Sequence, residues 1–168
     1  MPPTLHISES APKELEKWFD LVSQLSCQNV ENEVGGPFAA LVIKNGEVIG
    51  KGTNRVLADQ DPTAHAEVVA IRDACKNLGS FQIDDCILLT SCEPCPMCLG
   101  AIYWARPKLV YYCNTREDAA DIGFDDNLIY EEIVLAPSER KIPFKRIAYP
   151  EAEKAFRLWK NKGDKTQY

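Results

Sequence analysis

Residues 86–113 read CILLTSCEPCPMCLGAIYWARPKLVYYC, and the order of elements in this stretch decides the fold. The run CILLTS (86–91) is short and apolar, which predicts a strand buried on both faces. EPCPMCLGAIYWARP predicts a helix that opens at Cys95 and closes before Pro107, since proline suits a first turn but cannot continue a helix. KLVYYC (108–113) predicts a second short strand.

The flanking sequence extends this unit in both directions. Upstream, DQDPTAHAEVVAIRDACKNLG predicts a helix from about Thr63 to Leu78, with Val68, Ile71, Ala74, Cys75 and Leu78 as its buried stripe and Gly79 as its stop. Before it, PFAALVIK and EVIGKGTNRV flank Asn45-Gly46, the dipeptide that best tolerates the positive φ angles of a tight hairpin. Leu15, Trp18, Phe19, Val22 and Leu25 recur at helical spacing, so an amphipathic helix is expected from Pro12 to about Cys27. Downstream, REDAADIGFDDNLIYEEI starts as a helix and loosens around Gly123; a short strand near 144–148 and a helix from about Pro150 to Lys160 follow. A hairpin followed by alternating helices and strands implies a three-layer α/β/α sandwich around a mixed central sheet. One domain is expected over residues 1–168, with 1–11 a loose leader and about 150–168 a C-terminal helix and tail.

Composition narrows the function. Hydrophobic residues make up 45% and charged residues 26%, as in ordinary globular domains. No apolar run approaches the ~20 residues of a membrane-spanning helix. MPPTLHISESAPKEL lacks the basic and apolar regions of a secretory signal, so a cytoplasmic protein is expected. The net charge of −6 argues against a nucleic-acid partner, whose phosphates demand a basic face, and points to a small substrate. Seven cysteines is an odd number; in a reducing compartment they are metal ligands or apolar core rather than a disulfide framework. Cys27, Cys75, Cys86 and Cys113 lie in apolar patterns and are expected in the core.

Cys92, Cys95 and Cys98 remain. Cys95 and Cys98 are one turn apart at a helix start, with both sulfurs on one face, where the positive end of the helix dipole favours thiolate. His65 opens the other helix, with Glu67 two residues on. If the two helix starts meet at one sheet edge, His65, Cys95 and Cys98 make a three-ligand zinc site with a fourth position left for water, which marks a catalytic centre. Glu67 is then placed to move protons between that water and a leaving amine. A competing arrangement adds Cys92 as a fourth ligand and closes the site into a structural one. Cys92 precedes Glu93-Pro94 at the end of a strand, off the face that carries the other two.

His65-Ala66-Glu67 followed by Pro94-Cys95-Pro96-Met97-Cys98 is the H-x-E…P-C-x-x-C pattern of zinc-dependent nucleobase deaminases. With PFAALVI, DPTAHAEVVAIRDAC, DDCILLTSCEPCPMCLGAIYWARPK and GFDD, the chain resembles the bacterial-type guanine deaminases of the cytidine deaminase superfamily from about Gly35 to its end. The resemblance implies a cytidine deaminase-like fold, one zinc ion per subunit on His65, Cys95 and Cys98, and Glu67 as the proton shuttle. It implies that Asp126 holds the purine ring and helps move the proton to its amino group. Asn54 would fix the base edge, and Phe38 and Trp104 would sandwich the base. It also implies a homodimer with exchanged C-terminal segments, in which Tyr168 closes the partner's pocket; KGDKTQ before that tyrosine departs from the family pattern. The reaction implied is hydrolysis of guanine to xanthine and ammonia. Guanosine, cytosine or cytidine, and tRNA adenosine stand as alternative substrates. A zinc-stabilised interaction module is the non-enzymatic alternative.

Overall fold

A computed structural model describes residues 12–167; the expected leader and Tyr168 lie outside them. After a single 3-10 turn at Lys13–Leu15, the elements are α1 (Glu16–Glu31), β1 (Ala39–Lys44), β2 (Glu47–Thr53), α2 (Val56–Asp59), α3 (Ala66–Leu78), β3 (Ile87–Cys92), α4 (Pro96–Ala105), β4 (Leu109–Asn114), α5 (Arg116–Asp121), α6 (Asn127–Ile133) and α7 (Glu153–Asn161). The described chain divides into two compact units between Asp125 and Asp126.

The first unit is built on one four-stranded sheet in the order β2-β1-β3-β4. β1 is antiparallel to both β2 and β3, whereas β3 and β4 are parallel, so the sheet is mixed. The parallel pair is the one joined through α4, as a crossover connection requires. Asn45 (φ 52°) and Gly46 (φ 78°) form the β1–β2 turn, with both central residues in the left-handed region.

Strand alternation supplies the two buried faces. Ala39, Leu41 and Ile43 of β1 join Leu89 and Val22, with Trp18, Phe19 and Leu25 of α1 packed around them. Ala40 and Val42 face the other way and join Leu88 with Ala66, Ala70, Ile71 and Ala74 of α3 and Ile102 and Ala105 of α4. Helices therefore cover both faces, and the expected α/β/α layering is observed.

The buried line of α3 differs from the expected one. Its centre is Ala66, Ala70 and Ala74, while Val68, Cys75 and Leu78 are only half-buried. The reason lies in the facing strand. A Cβ at Gly52 would meet the Ala66 carbonyl and come within 2.5 Å of the Ala70 amide nitrogen, and one at Gly50 would come within 2.5 Å of the Ala70 carbonyl. Glycine on β2 and alanine on α3 bring the two backbones together. Gly52→Ala should therefore push the start of α3 off the sheet. The expected cost is about 2–3 kcal/mol, read as a fall in Tm of about 5–10 °C.

β4 is the opposite edge of the sheet, and most of its residues, including Leu109 and Tyr112, are exposed. Cys27 and Cys113 are also exposed, contrary to the expectation that they lie in the core; Cys86 is buried and Cys75 half-buried. The apolar context of Cys113 belongs to an edge strand, and Cys27 sits on the outer side of α1.

The second unit contains α6, a 3-10 turn at Pro150–Ala152 and α7. No strand forms at 144–148: the segment meets no partner strand there among the described residues. Phe144 instead lies under the Arg140 guanidinium at 5.1 Å, and the Arg140 Nε donates to the Glu132 carbonyl at 3.1 Å. α7 is amphipathic, yet Phe156 is 80% exposed and Trp159 45% exposed. Among the described residues no helix is long and apolar enough to cross a membrane.

Candidate functional site

The starts of α3 and α4 come together beside the end of β3. His65 and Cys95 stand one residue outside their helices as N-caps with extended backbone (ψ 154° and 168°), not inside the first turn. Their carbonyls accept the first helical hydrogen bonds, from Val69 N at 2.9 Å and Leu99 N at 2.8 Å. Neither side chain caps its own helix. Cys98, one turn into α4, is fully buried.

His65 Nδ1 lies 3.5 Å from Cys95 Sγ and 3.5 Å from Cys98 Sγ. Tetrahedral zinc with sulfur and nitrogen at their usual bond lengths separates such a pair by about 3.6 Å. The donor set therefore fits zinc. Among the described residues these three are the metal-ligating cluster, with ligand atoms within 4.8 Å of one another. Three protein ligands leave one tetrahedral position for another molecule.

Cys92 is not in that cluster. As the last residue of β3, it points its Sγ at the Thr115 carbonyl, 3.4 Å away. Burial, reinforced by the Glu67 charge, pushes the Cys92 thiol up to about 12, so it remains a neutral donor. Cys95 is driven the other way, downward, first by the neighbouring Cys98 thiol and then by His65. That same contact, together with burial, moves Cys98 upward. Cys95, the thiol that ionises readily, and Cys92, the inert one, are thus separated by environment as well as by position.

Glu67 is 6% exposed, and Cys98 Sγ donates to its Oε2 at 3.4 Å. Burial raises its carboxyl above the ordinary carboxylate range, opposed by a hydrogen bond from its own amide. A carboxylate made more basic by its surroundings, next to an open ligand position, is suited to accept a proton and return it.

The loop between β3 and α4 is held from β4. Glu93 N donates to the Asn114 carbonyl at 2.8 Å, Asn114 Nδ2 to the Ser91 carbonyl at 2.8 Å, and Arg116 N to Glu93 Oε2 at 3.3 Å. A capping box closes the start of α5: Thr115 accepts from Asp118 N while Asp118 accepts from Thr115 N.

Asn54 is buried directly after β2. Arg55 N donates to the Ala64 carbonyl at 2.9 Å, which ties this segment to the residue before His65. Phe38, half-buried just before β1, packs edge-on against Phe124 with ring centres 4.9 Å apart. Asn29, buried on α1, donates to the Asn54 carbonyl at 2.9 Å; an asparagine on the apolar face of that helix is its signal in the sequence. Trp104 is 65% exposed near the end of α4 away from the cysteines. Asp126 belongs to the second unit, at the N-cap of α6.

Comparison with known proteins agrees with this geometry. Residues 12–114 match the cytidine and deoxycytidylate deaminase zinc-binding region. Guanine deaminase of Bacillus subtilis is 55% identical over 144 residues, which is 86% of this chain and 92% of that protein. An X-ray structure of guanine deaminase from Bacillus subtilis superposes with a TM-score of 0.88 at 52% identity, covering 91% of this chain and 98% of the other. A structure solved in complex with 2,6-diaminopurine aligns with a TM-score of 0.63 at 34% identity, covering 71% of this chain and 65% of the other.

Proposed function

This chain belongs to the deaminase family that carries the cytidine and deoxycytidylate deaminase zinc-binding region, and we propose that within it the chain is a guanine deaminase: guanine and water give xanthine and ammonia. The observation that carries the chemistry is the buried Glu67 carboxylate beside a ligand set of His65, Cys95 and Cys98. The guanine-acting relatives and the purine-bound neighbour support the choice of base.

His65, Cys95 and Cys98 would hold zinc, which would supply Lewis acidity and make a water there acidic enough to lose a proton near neutral pH. Glu67 takes a proton from the attacking water as its oxygen bonds to C2 of guanine. It returns that proton to the amino nitrogen, the C2–N bond breaks, and ammonia leaves. Asn54 holds the edge of the base, Phe38 is an aromatic wall, and Asp126 holds the ring and relays the proton toward the amine. A carboxylate suits a base that offers ring N–H and amine donors side by side.

The working form in this reading is a homodimer with exchanged C-terminal segments, in which Tyr168 closes the partner's pocket. Exposed apolar side chains within each unit support association: Leu109 and Tyr112 on β4, Phe156, Leu158 and Trp159 on α7. A cytoplasmic location accords with seven free cysteines.

Ammonia release from guanine, guanosine, adenine, cytosine and cytidine, with and without a chelator, tests the substrate. Guanine alone is expected to turn over, and the chelator to stop it; equal turnover of cytidine would displace the reading. Deleting Tyr168 is expected to lower turnover at least about tenfold, the effect of losing one well-placed contact, with zinc content unchanged. An undiminished rate would remove the closing role.

A further inference from the structure

Asn29 lies on the inner face of α1 and is 4% exposed. Asparagine is a poor residue for a helix interior, and a buried amide must find partners. The Asn29 Nδ2 donates twice, to the Gly36 carbonyl at 2.8 Å and to the Asn54 carbonyl at 2.9 Å. Those carbonyls belong to the loop just before Phe38 and to the residue just after β2. A single helical side chain thus joins the two segments that carry the proposed base-contacting residues.

Other contacts around Asn54 leave its backbone little freedom. Its amide donates to the Phe38 carbonyl at 3.0 Å. A Cβ at Gly35 would come within 2.5 Å of the Asn54 carbonyl oxygen, so the loop lies flat against this residue. Val56 N donates to Asn54 Oδ1 at 3.3 Å, which fixes Oδ1 as an accepting end and Nδ2 as the donating end. Of these constraints, the Asn29 bridge is made by a side chain from outside the zinc-site elements.

We infer that Asn29 is a positioning residue for the purine: it sets the position of Asn54, and through Asn54 the recognition of the base edge. This rests on the reading of Asn54 as the amide that holds guanine. Hydrogen-bond recognition is sensitive to displacements of about 1 Å. The contact with the base edge is made in the bound substrate as well as in the transition state, so its loss falls on KM rather than kcat.

The test uses the full-length zinc-loaded enzyme and guanine, with Asn29→Ala, Asn29→Ser, Asn54→Ala and the double variant Asn29→Ala/Asn54→Ala. Alanine leaves room for water to satisfy the two carbonyls, and serine keeps one donor. Asn29→Ala is expected to raise KM about three- to tenfold, with kcat within about twofold and one zinc per chain. Asn29→Ser should fall between it and the native enzyme. In the Asn54→Ala background the same change should add less than about twofold to KM, since a residue acting through Asn54 loses its route. The full factor in that background, a fall in kcat with KM unchanged, or loss of zinc in both Asn29 variants would overturn the inference. Asn54→Ala with native KM would instead fault Asn54 as the base-holding amide, and the inference would fall with it.

Discussion

Glu67→Gln is expected to lower guanine turnover by about 10²–10⁴-fold, the range for removing a positioned general acid–base group, while each chain keeps its zinc. The amide matches the carboxylate in shape but cannot take a proton from water or give one to the departing amine. No ligand atom is lost, because the cluster is His65, Cys95 and Cys98. A buried neutral amide also costs less than a buried carboxylate, so Tm should not fall. Side-by-side measurement of ammonia release, zinc content and melting separates this outcome from simple unfolding. Full activity in the variant would show that the proton travels by another group.

The second large effect concerns the metal ligands. Cys98→Ala should lose both zinc and activity, because it removes one of three ligands from the buried end of the site. A ligand that binds only the native state stabilises it by about 4 kcal/mol at a thousand times its Kd, and for a chain of this size that raises Tm by roughly 10 °C. Added zinc should therefore raise the Tm of the metal-free native chain by about that amount and leave the Cys98→Ala chain nearly unmoved. Cys92→Ala should behave like the native protein, since its thiol is engaged with the Thr115 carbonyl. A Cys92→Ala protein that loses zinc would point to the closed, structural arrangement.

The elements that carry the site were legible in the sequence because each has its own local signal. Asn45-Gly46 marks the hairpin, Pro96 and Pro107 bracket α4, and Gly79 ends α3 in the left-handed region at φ 63°. What the sequence concealed depends on long-range packing. The alanine line of α3 is visible only opposite Gly50 and Gly52, whose lack of a Cβ no hydropathy pattern records. Residues 144–148 are short enough for a strand, but a strand needs a neighbour to accept its hydrogen bonds, and none lies beside them among the described residues. Cys27 and Cys113 look apolar in context, yet one faces outward from a helix and the other lies on an edge strand. α1 runs on to Glu31, past the expected end at Cys27, because no breaker intervenes before the Glu33 turn at φ 55°. Asn29 falls in that extension, so its role emerges only once the helix faces the loop before Phe38.

Zinc-edge X-ray absorption on the purified protein tests the open coordination site most directly. The account predicts two sulfur neighbours at about 2.3 Å with one nitrogen and one oxygen at about 2.0–2.1 Å. Three sulfurs and a nitrogen, with no oxygen bound, would contradict it.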